Sequence, residues 1–195
     1  MSEWLPESGS LLEIGAGTGQ HAAYLSRRLP GWRWLPTEHP EQLATLRAGL
    51  DGVDRTGLRE PVALDVAGQW PDECFDAVFS ANTAHIMHWP MVVSMFEGVA
   101  GALRPGGRFL LYGPFMNEGR HTAPSNAAFD RQLRSRDPGM GVRDLTELTA
   151  LAGRVGLAGV AVIPMPANNF VLVFDKPGTA GSRGRGPGHD KETMG

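Results

Sequence analysis

Ser10-Leu11-Leu12-Glu13-Ile14-Gly15-Ala16-Gly17-Thr18-Gly19-Gln20 is the stretch on which the fold of this chain turns. A short apolar run meets three glycines at alternate positions, and a helical pattern starts at Gln20. This reads as a strand entering a helix through a loop that a ligand can approach closely, because glycine has no Cβ and tolerates positive φ. The dinucleotide fingerprint requires Gly or Ala three residues after its second glycine, and Gln20 stands there, which argues against an NAD enzyme. Glu13, two residues ahead of the first glycine, would repel a pyrophosphate and favour an ammonium or a sulfonium. The loop therefore points to S-adenosyl-L-methionine (SAM), with Glu13, Gly15, Ala16, Gly17 and Gly19 as its candidate contacts.

Two further acids follow in order. Glu38 ends a second strand candidate and lies 19 residues past Gly19, the spacing of a ribose clamp. Asp65 ends a third and precedes Val66, where an adenine would be hydrogen-bonded and packed. The strand candidates are Ser10–Ile14, Trp32–Leu35, Val62–Asp65, Phe75–Ser80 and Phe109–Tyr112. Between the last two lies the clearest helix, Trp89–Leu103, where Val92, Met95, Phe96, Val99, Ala100 and Leu103 form one apolar face. Arg104-Pro105-Gly106-Gly107 stops it. A helix from Asp144 to about Val155 precedes two strands, Gly159–Ile163 and Phe170–Phe174, close enough in sequence to pair antiparallel. Strand–helix alternation closing in a hairpin predicts an α/β fold with a mostly parallel sheet and an antiparallel edge.

Composition narrows the function. At 195 residues the chain suits one domain of ordinary size. Its single cysteine, Cys74, excludes a disulfide framework and is read as an inert apolar residue. Residues 176–195, rich in Gly and poor in apolar groups, carry a net charge of +2, so residues 1–175 carry −5. We expect 1–175 to be the folded domain and 176–195 a disordered tail. A body this acidic has no general grip on nucleic acid. The only lysines are Lys176 and Lys191, which excludes Schiff-base and P-loop lysine chemistry in the body. No apolar run is long enough to span a membrane, and Met1–Pro6 lacks a signal layout, so a cytoplasmic protein is expected.

The sequence also resembles a known family. The segments Ala81-Asn82 with His85-Ile86-Met87, Leu111-Tyr112-Gly113-Pro114-Phe115, Gly119-Arg120-His121-Thr122 and Ser125-Asn126-Ala127-Ala128-Phe129-Asp130 carry the likeness. So do Arg136-Asp137-Pro138, Gly141-Val142-Arg143-Asp144 and Met165-Pro166-Ala167-Asn168-Asn169. Together with the glycine loop they resemble the class I SAM-dependent methyltransferases, in the branch called domain-of-unknown-function 938 or methyltransferase-like 26, over residues 10–175. The resemblance implies a Rossmann-like, seven-stranded sheet of order 3-2-1-4-5-7-6, and SAM as cofactor. Members usually carry a helical segment ahead of the glycine strand, whereas this chain begins about ten residues before it. The resemblance therefore implies a longer natural chain, a more exposed cofactor, or a cover over the cofactor face supplied by a homo-oligomer or another partner.

Methyl transfer from a sulfonium needs an aligned acceptor, exclusion of water and, for some acceptors, a base. Candidates near the methyl come from the ends of the fourth and fifth strands: His85 as base or orienter, with Asn82 and Tyr112 beside it, and Asn82 also on the cofactor. Phe115, His121, Asn126, Asp130 and Arg143, with Asn168 and Asn169 of the last hairpin, are candidate substrate contacts. Alternatively, the Arg and Asp residues of this insertion pair to hold it in place. His85 and His88 have no third ligand of matching spacing, so no metal is expected. Asn82 is followed by Thr83-Ala84 instead of the Pro-Pro-Tyr of amide and adenine N-methylation. A small-molecule O- or N-nucleophile is the expected acceptor. The other reading is a SAM-binding fold without methyl transfer, acting as a partner module or a non-methylating enzyme.

Overall fold

The computed structural model describes residues 4–178. Its elements in chain order are β1 (Gly9–Ile14), α1 (Gln20–Arg28), β2 (Trp32–Glu38), α2 (Leu43–Gly49), β3 (Val62–Ala63), β4 (Phe75–Ala81), α3 (Trp89–Ala102) and β5 (Leu103–Gly113). There follow β6 (Phe115–Asn117), β7 (Arg120–His121), α4 (Pro124–Arg136), β8 (Arg143–Asp144), α5 (Leu145–Arg154), β9 (Ala158–Met165) and β10 (Asn169–Asp175). Seven strands form one sheet in the order β3-β2-β1-β4-β5-β10-β9. This is the expected 3-2-1-4-5-7-6 once the three short strands of the insertion are counted. β1 pairs in parallel with both β2 and β4, while β10 runs antiparallel to both β5 and β9. The chain leaves β1 on one side and returns on the other at β4, which opens a crevice over the carboxyl ends of those strands.

Strand alternation sorts the core. Leu12 and Ile14 face α3 and α5, in a cluster with Phe96, Phe109 and Phe174, whose rings meet edge-on or stacked at 5.4–6.0 Å. Leu11 faces the other way, towards α1 and α2, with Trp34, Leu46, Phe79 and Leu110. On α3, Val92, Met95, Phe96 and Val99 are buried, as the periodicity predicts. Each such side chain contributes roughly 1.5–3 kcal/mol by leaving water.

Several boundaries differ from the sequence reading. Leu103 is the first residue of β5, with ψ 140°, where the periodicity makes it the last of the helix. β3 is only two residues long, and Asp65 lies beyond it in a turn. Asp144 is the N-cap of α5, its side chain accepting from the Thr146 N–H at 2.8 Å. The insertion between β5 and α5 holds α4 and a three-stranded sheet, β7-β6-β8.

The boundary at residue 175 also moves. Lys176, placed in the tail by composition, exchanges backbone bonds of 2.8 Å with Gly106 and Gly107. Its Nζ donates to the Ala100 and Leu103 carbonyls at 2.6 and 2.7 Å, at the end of α3. A cation there neutralises carbonyls that the helix leaves unpaired. Residues 179–195, the rest of the expected tail, lie outside the described residues. Lys176→Met in the full chain should lose about 1–2 kcal/mol. That corresponds to roughly 2–8 °C of Tm in a domain of this size. An unchanged calorimetric midpoint would mean that water satisfies those carbonyls equally well.

Candidate functional site

The site is assembled where the glycine loop passes the end of β4. Gly15, Gly17 and Gly19 all have positive φ, at 67°, 60° and 81°. A Cβ on Gly15 would lie 2.5 Å from Thr83 Cγ2, so only glycine lets the two loops touch. Thr83 Oγ1 is 2.6 Å from Ser80 Oγ, which donates to the Ile14 carbonyl at 2.9 Å. A Cβ on Gly17 would meet nothing within 4 Å, because that position faces open space. Its N–H donates to Glu38 Oε2 at 2.6 Å, while Glu38 Oε1 accepts from the His39 N–H.

This space is a cleft of about 410 Å³ lined by Gly15, Gly17, Glu38, Asp65, Val66 and Asn82, all named from sequence. Its apolar wall is Leu64, Ile86, Met87 and Met91, which the sequence reading did not single out for binding. Ile86 is 49% exposed, an unusual placement for such a side chain and the one local sign of an apolar wall. Asn82 has φ 59°, an uncommon conformation for a non-glycine residue, held as its N–H donates to the Tyr112 carbonyl at 2.9 Å.

Ala16 and Gly19 do not line this cleft, and neither does Glu13. Glu13 is 1% exposed on the α1 face and accepts from Trp34 Nε1 at 2.6 Å. His21 Nδ1 stands 3.8 Å from it, and the His21 ring meets Phe79 edge-on. Burial pushes the Glu13 carboxyl up to about 7 against the opposing Trp34 bond, with the nearby Glu38 charge raising it further. An acid facing the ligand is therefore not what Glu13 supplies. It braces the loop from behind and is partly protonated near neutral pH.

His85 is buried at 6% exposure, with its ring edge-on to Phe129 at 5.1 Å. A Cβ on Gly113 would lie 3.8 Å from both His85 Nδ1 and Asn82 Oδ1 and from the Phe115 ring, so these groups surround one spot beyond β5. Burial, and then the positive Arg143, lower the His85 pKa to about 4. A proton acceptor that weak lies outside the range suited to general-base work at neutral pH, which counts against the base role expected of His85.

Several expected substrate contacts are committed elsewhere. Arg143 is buried and donates to the Ala84, Met87 and Gly139 carbonyls, pinning the loop that carries Asn82 to Met87. Asn126 donates to Thr122 Oγ1 and to the Asn168 carbonyl, joining α4 to the last hairpin. Asp130 accepts from the Val142 N–H and from Arg134, with His121 Nε2 3.6 Å away. Asn168 is bound up in the same hairpin contact, and Asn169 Nδ2 donates to the Tyr112 hydroxyl at 3.0 Å. These bonds brace the insertion chiefly through backbone groups, and of the Arg–Asp pairs held open as the alternative the described insertion shows Arg134 with Asp130, within α4. Among the described residues no group of three His, Cys, Asp or Glu could hold a metal, and no helix is long and apolar enough to cross a membrane.

The cleft suits SAM on its own chemistry. The Gly17 position is open to backbone approach, the Glu38 and Asp65 carboxylates suit hydroxyl and amino groups, and the apolar wall suits a heterocycle. The fold is that of the class I SAM-dependent methyltransferases. The chain belongs to the family described as "Protein of unknown function (DUF938)", whose profile matches residues 1–176. It is 33% identical over 111 residues to a fatty-acid O-methyltransferase of Mycolicibacterium smegmatis, covering 53% of this chain and 36% of that protein. An O-methyltransferase family 2 protein from Planctomyces limnophilus, solved with apigenin, has the same fold at TM-score 0.74 and 24% identity. That match covers 86% of this chain and 51% of the other. CalO1, a methyltransferase of calicheamicin biosynthesis solved with S-adenosylhomocysteine, matches at TM-score 0.71 and 19% identity, over 87% of this chain and 49% of its own. The chain thus spans about a third of that curated relative's length and about half of those structures.

The Glu13 burial has a measurable sign. Its folded-state pKa lies above the ordinary value of 4.5, so stability falls as pH rises from about 4.5 to about 7 and is level above that. Glu13→Gln keeps an acceptor for Trp34 without the charge. The variant should be more stable than the parent at pH 8, by up to about 3 kcal/mol, and should show no such advantage near pH 4.5. Equal midpoints at the two pH values would show that Glu13 carries its charge without penalty.

Proposed function

We propose that this protein transfers the methyl group of SAM to an oxygen or nitrogen of a small molecule, in the cytoplasm. The observation that carries the proposal is the meeting of two half-sites. Gly17, Glu38 and Asp65 form a polar end, and Asn82 with His85 brackets the spot beside Gly113. The cofactor, when bound, supplies an electrophilic methyl on a sulfonium.

Glu38 holds the Gly17 N–H and keeps lone pairs for hydroxyl groups, while Asp65 and Val66 take the heterocycle. Ile86, Met87 and Met91 exclude water from that end. Asn82 and His85 orient the acceptor, and Tyr112, held by Asn169, limits it on the other side. A neutral ring and an amide beside the acceptor work by alignment, with no proton to remove. An oxygen that arrives already ionised, such as a carboxylate, suits such a pair best. The relative named as a fatty-acid O-methyltransferase favours oxygen over nitrogen.

Glu38→Ala should weaken S-adenosylhomocysteine binding roughly ten- to a hundredfold in calorimetry, as expected for lost charge-assisted bonds. Glu60→Ala, at an exposed pair with Arg55, is the control. With protein and methyl-labelled SAM in a cell extract, one metabolite should gain the mass of a CH₂ group and the label. Tight S-adenosylhomocysteine binding without any labelled product would favour the binding module instead. For the acceptor so found, kcat should show no inflection near pH 6.5 that depends on His85, because that ring is neutral well below that pH. His85→Ala should lower kcat about tenfold or more while leaving S-adenosylhomocysteine affinity within a few-fold. An inflection near 6.5 that disappears in the variant would restore the base.

A further inference from the structure

The two edges of the large sheet are finished differently. β3 is two residues long, with Glu60 and Asp65 close on either side, a length and charge that discourage another strand from adding to it. β9 is eight residues long and is bonded on its inner side only, to β10. Val160 and Val162 are 52% and 47% exposed, and Met165 is 38% exposed. Beside them runs a groove of about 310 Å³ between α5 and the hairpin, lined by Leu145, Thr149, Gly159, Val162, Leu172 and Phe174. From Val155 to Phe174 the sequence contains no Asp, Glu, Lys, Arg or His. No charge blunts this edge, and what interrupts it is Pro164 and a register shift against β10 at Val160.

We propose that β9 is the seam of a homodimer, in which a second copy adds its own β9 antiparallel about a two-fold axis. The occupant is argued from charge. Two-fold pairing sets the strand against itself, so a charged residue near its centre would face its own image in an apolar seam. An uncharged run of this length removes that repulsion and strands no ion. The seam continues one sheet through both subunits and lays apolar side chains of each copy over the groove of the other. Pro164 lacks an N–H and Val160 sits at the register shift against β10, so the pairing segment is Ala158–Ile163 with one bulged residue in it. β9 lies three strands from β4 and the cleft, so this seam is not the cover over the cofactor face expected from the sequence. The proposal does not depend on the reading of the cleft.

Sedimentation velocity of the full chain should give twice the 21.0 kDa monomer mass, shifting towards the monomer only on dilution. Val160→Lys combined with Val162→Lys places like charges across the seam. That variant should sediment as a folded monomer, with its circular dichroism and S-adenosylhomocysteine affinity kept. Val62→Lys on the opposite edge should leave the dimer intact. Should the double variant fail to fold, hydrogen exchange of the native chain decides: the amides of 158–163 should slow as concentration rises. A native chain that is monomeric throughout, a folded double variant that remains dimeric, or exchange at 158–163 independent of concentration would each overturn the seam.

Discussion

Gly15 and Thr83 touch, and the cleft depends on that contact. The strand-to-helix loop must turn with three residues at positive φ while passing within van der Waals distance of the loop after β4. Ser80 ties the two together by bonding both the Ile14 carbonyl and Thr83. With this crossing in place, Gly17 is left facing open space, Glu38 can reach its N–H, and Asn82 is set beside Gly113. Any side chain at Gly15 would push the loops apart and displace both ends of the site together. The crossing is thus the shared support of the Gly17–Glu38 side of the cleft and of the groups beside Gly113.

Much of this was legible in the sequence, because it follows from local rules. Strand–glycine–helix punctuation, an acid after each of the next two strands, and the 3.6-residue face of α3 need no tertiary information. The place of Glu13 could also have been read: Leu12 and Ile14 face the α3 side, so the residue between them must face α1. A carboxylate beside a ligand loop suggested chemistry strongly enough to obscure the alternation. Arg143 could not have been read that way. Its three carbonyl partners come from a loop some fifty-five residues earlier and from Gly139, and only the docked insertion brings them together. At Lys176 composition and structure part, since composition changes sharply after Asp175 whereas backbone pairing runs one residue further.

The insertion after β5 is built chiefly to hold still. Asn126 fastens α4 to the hairpin, Asp130 fastens it to the segment before β8, and Asp144 joins the start of α5 to the Gly119 N–H. Arg143 then carries that rigidity to the loop after β4. Polar residues that look like a recognition surface in the sequence are spent on buried backbone groups that would otherwise be unpaired. The groups around Gly113 inherit the stiffness of that brace.

The placement of Lys176 has a practical chemical consequence. It is the only lysine in residues 1–176, its amine is engaged by two carbonyls, and Pro177 follows it. A protease that cuts after lysine meets no site within the domain, and the Lys-Pro bond at its border resists such enzymes. Among the described residues, amine-reactive dyes, cross-linkers and acylating agents find only this occupied side chain. Conjugation through amines would therefore leave the glycine loop, the cleft and β9 unlabelled.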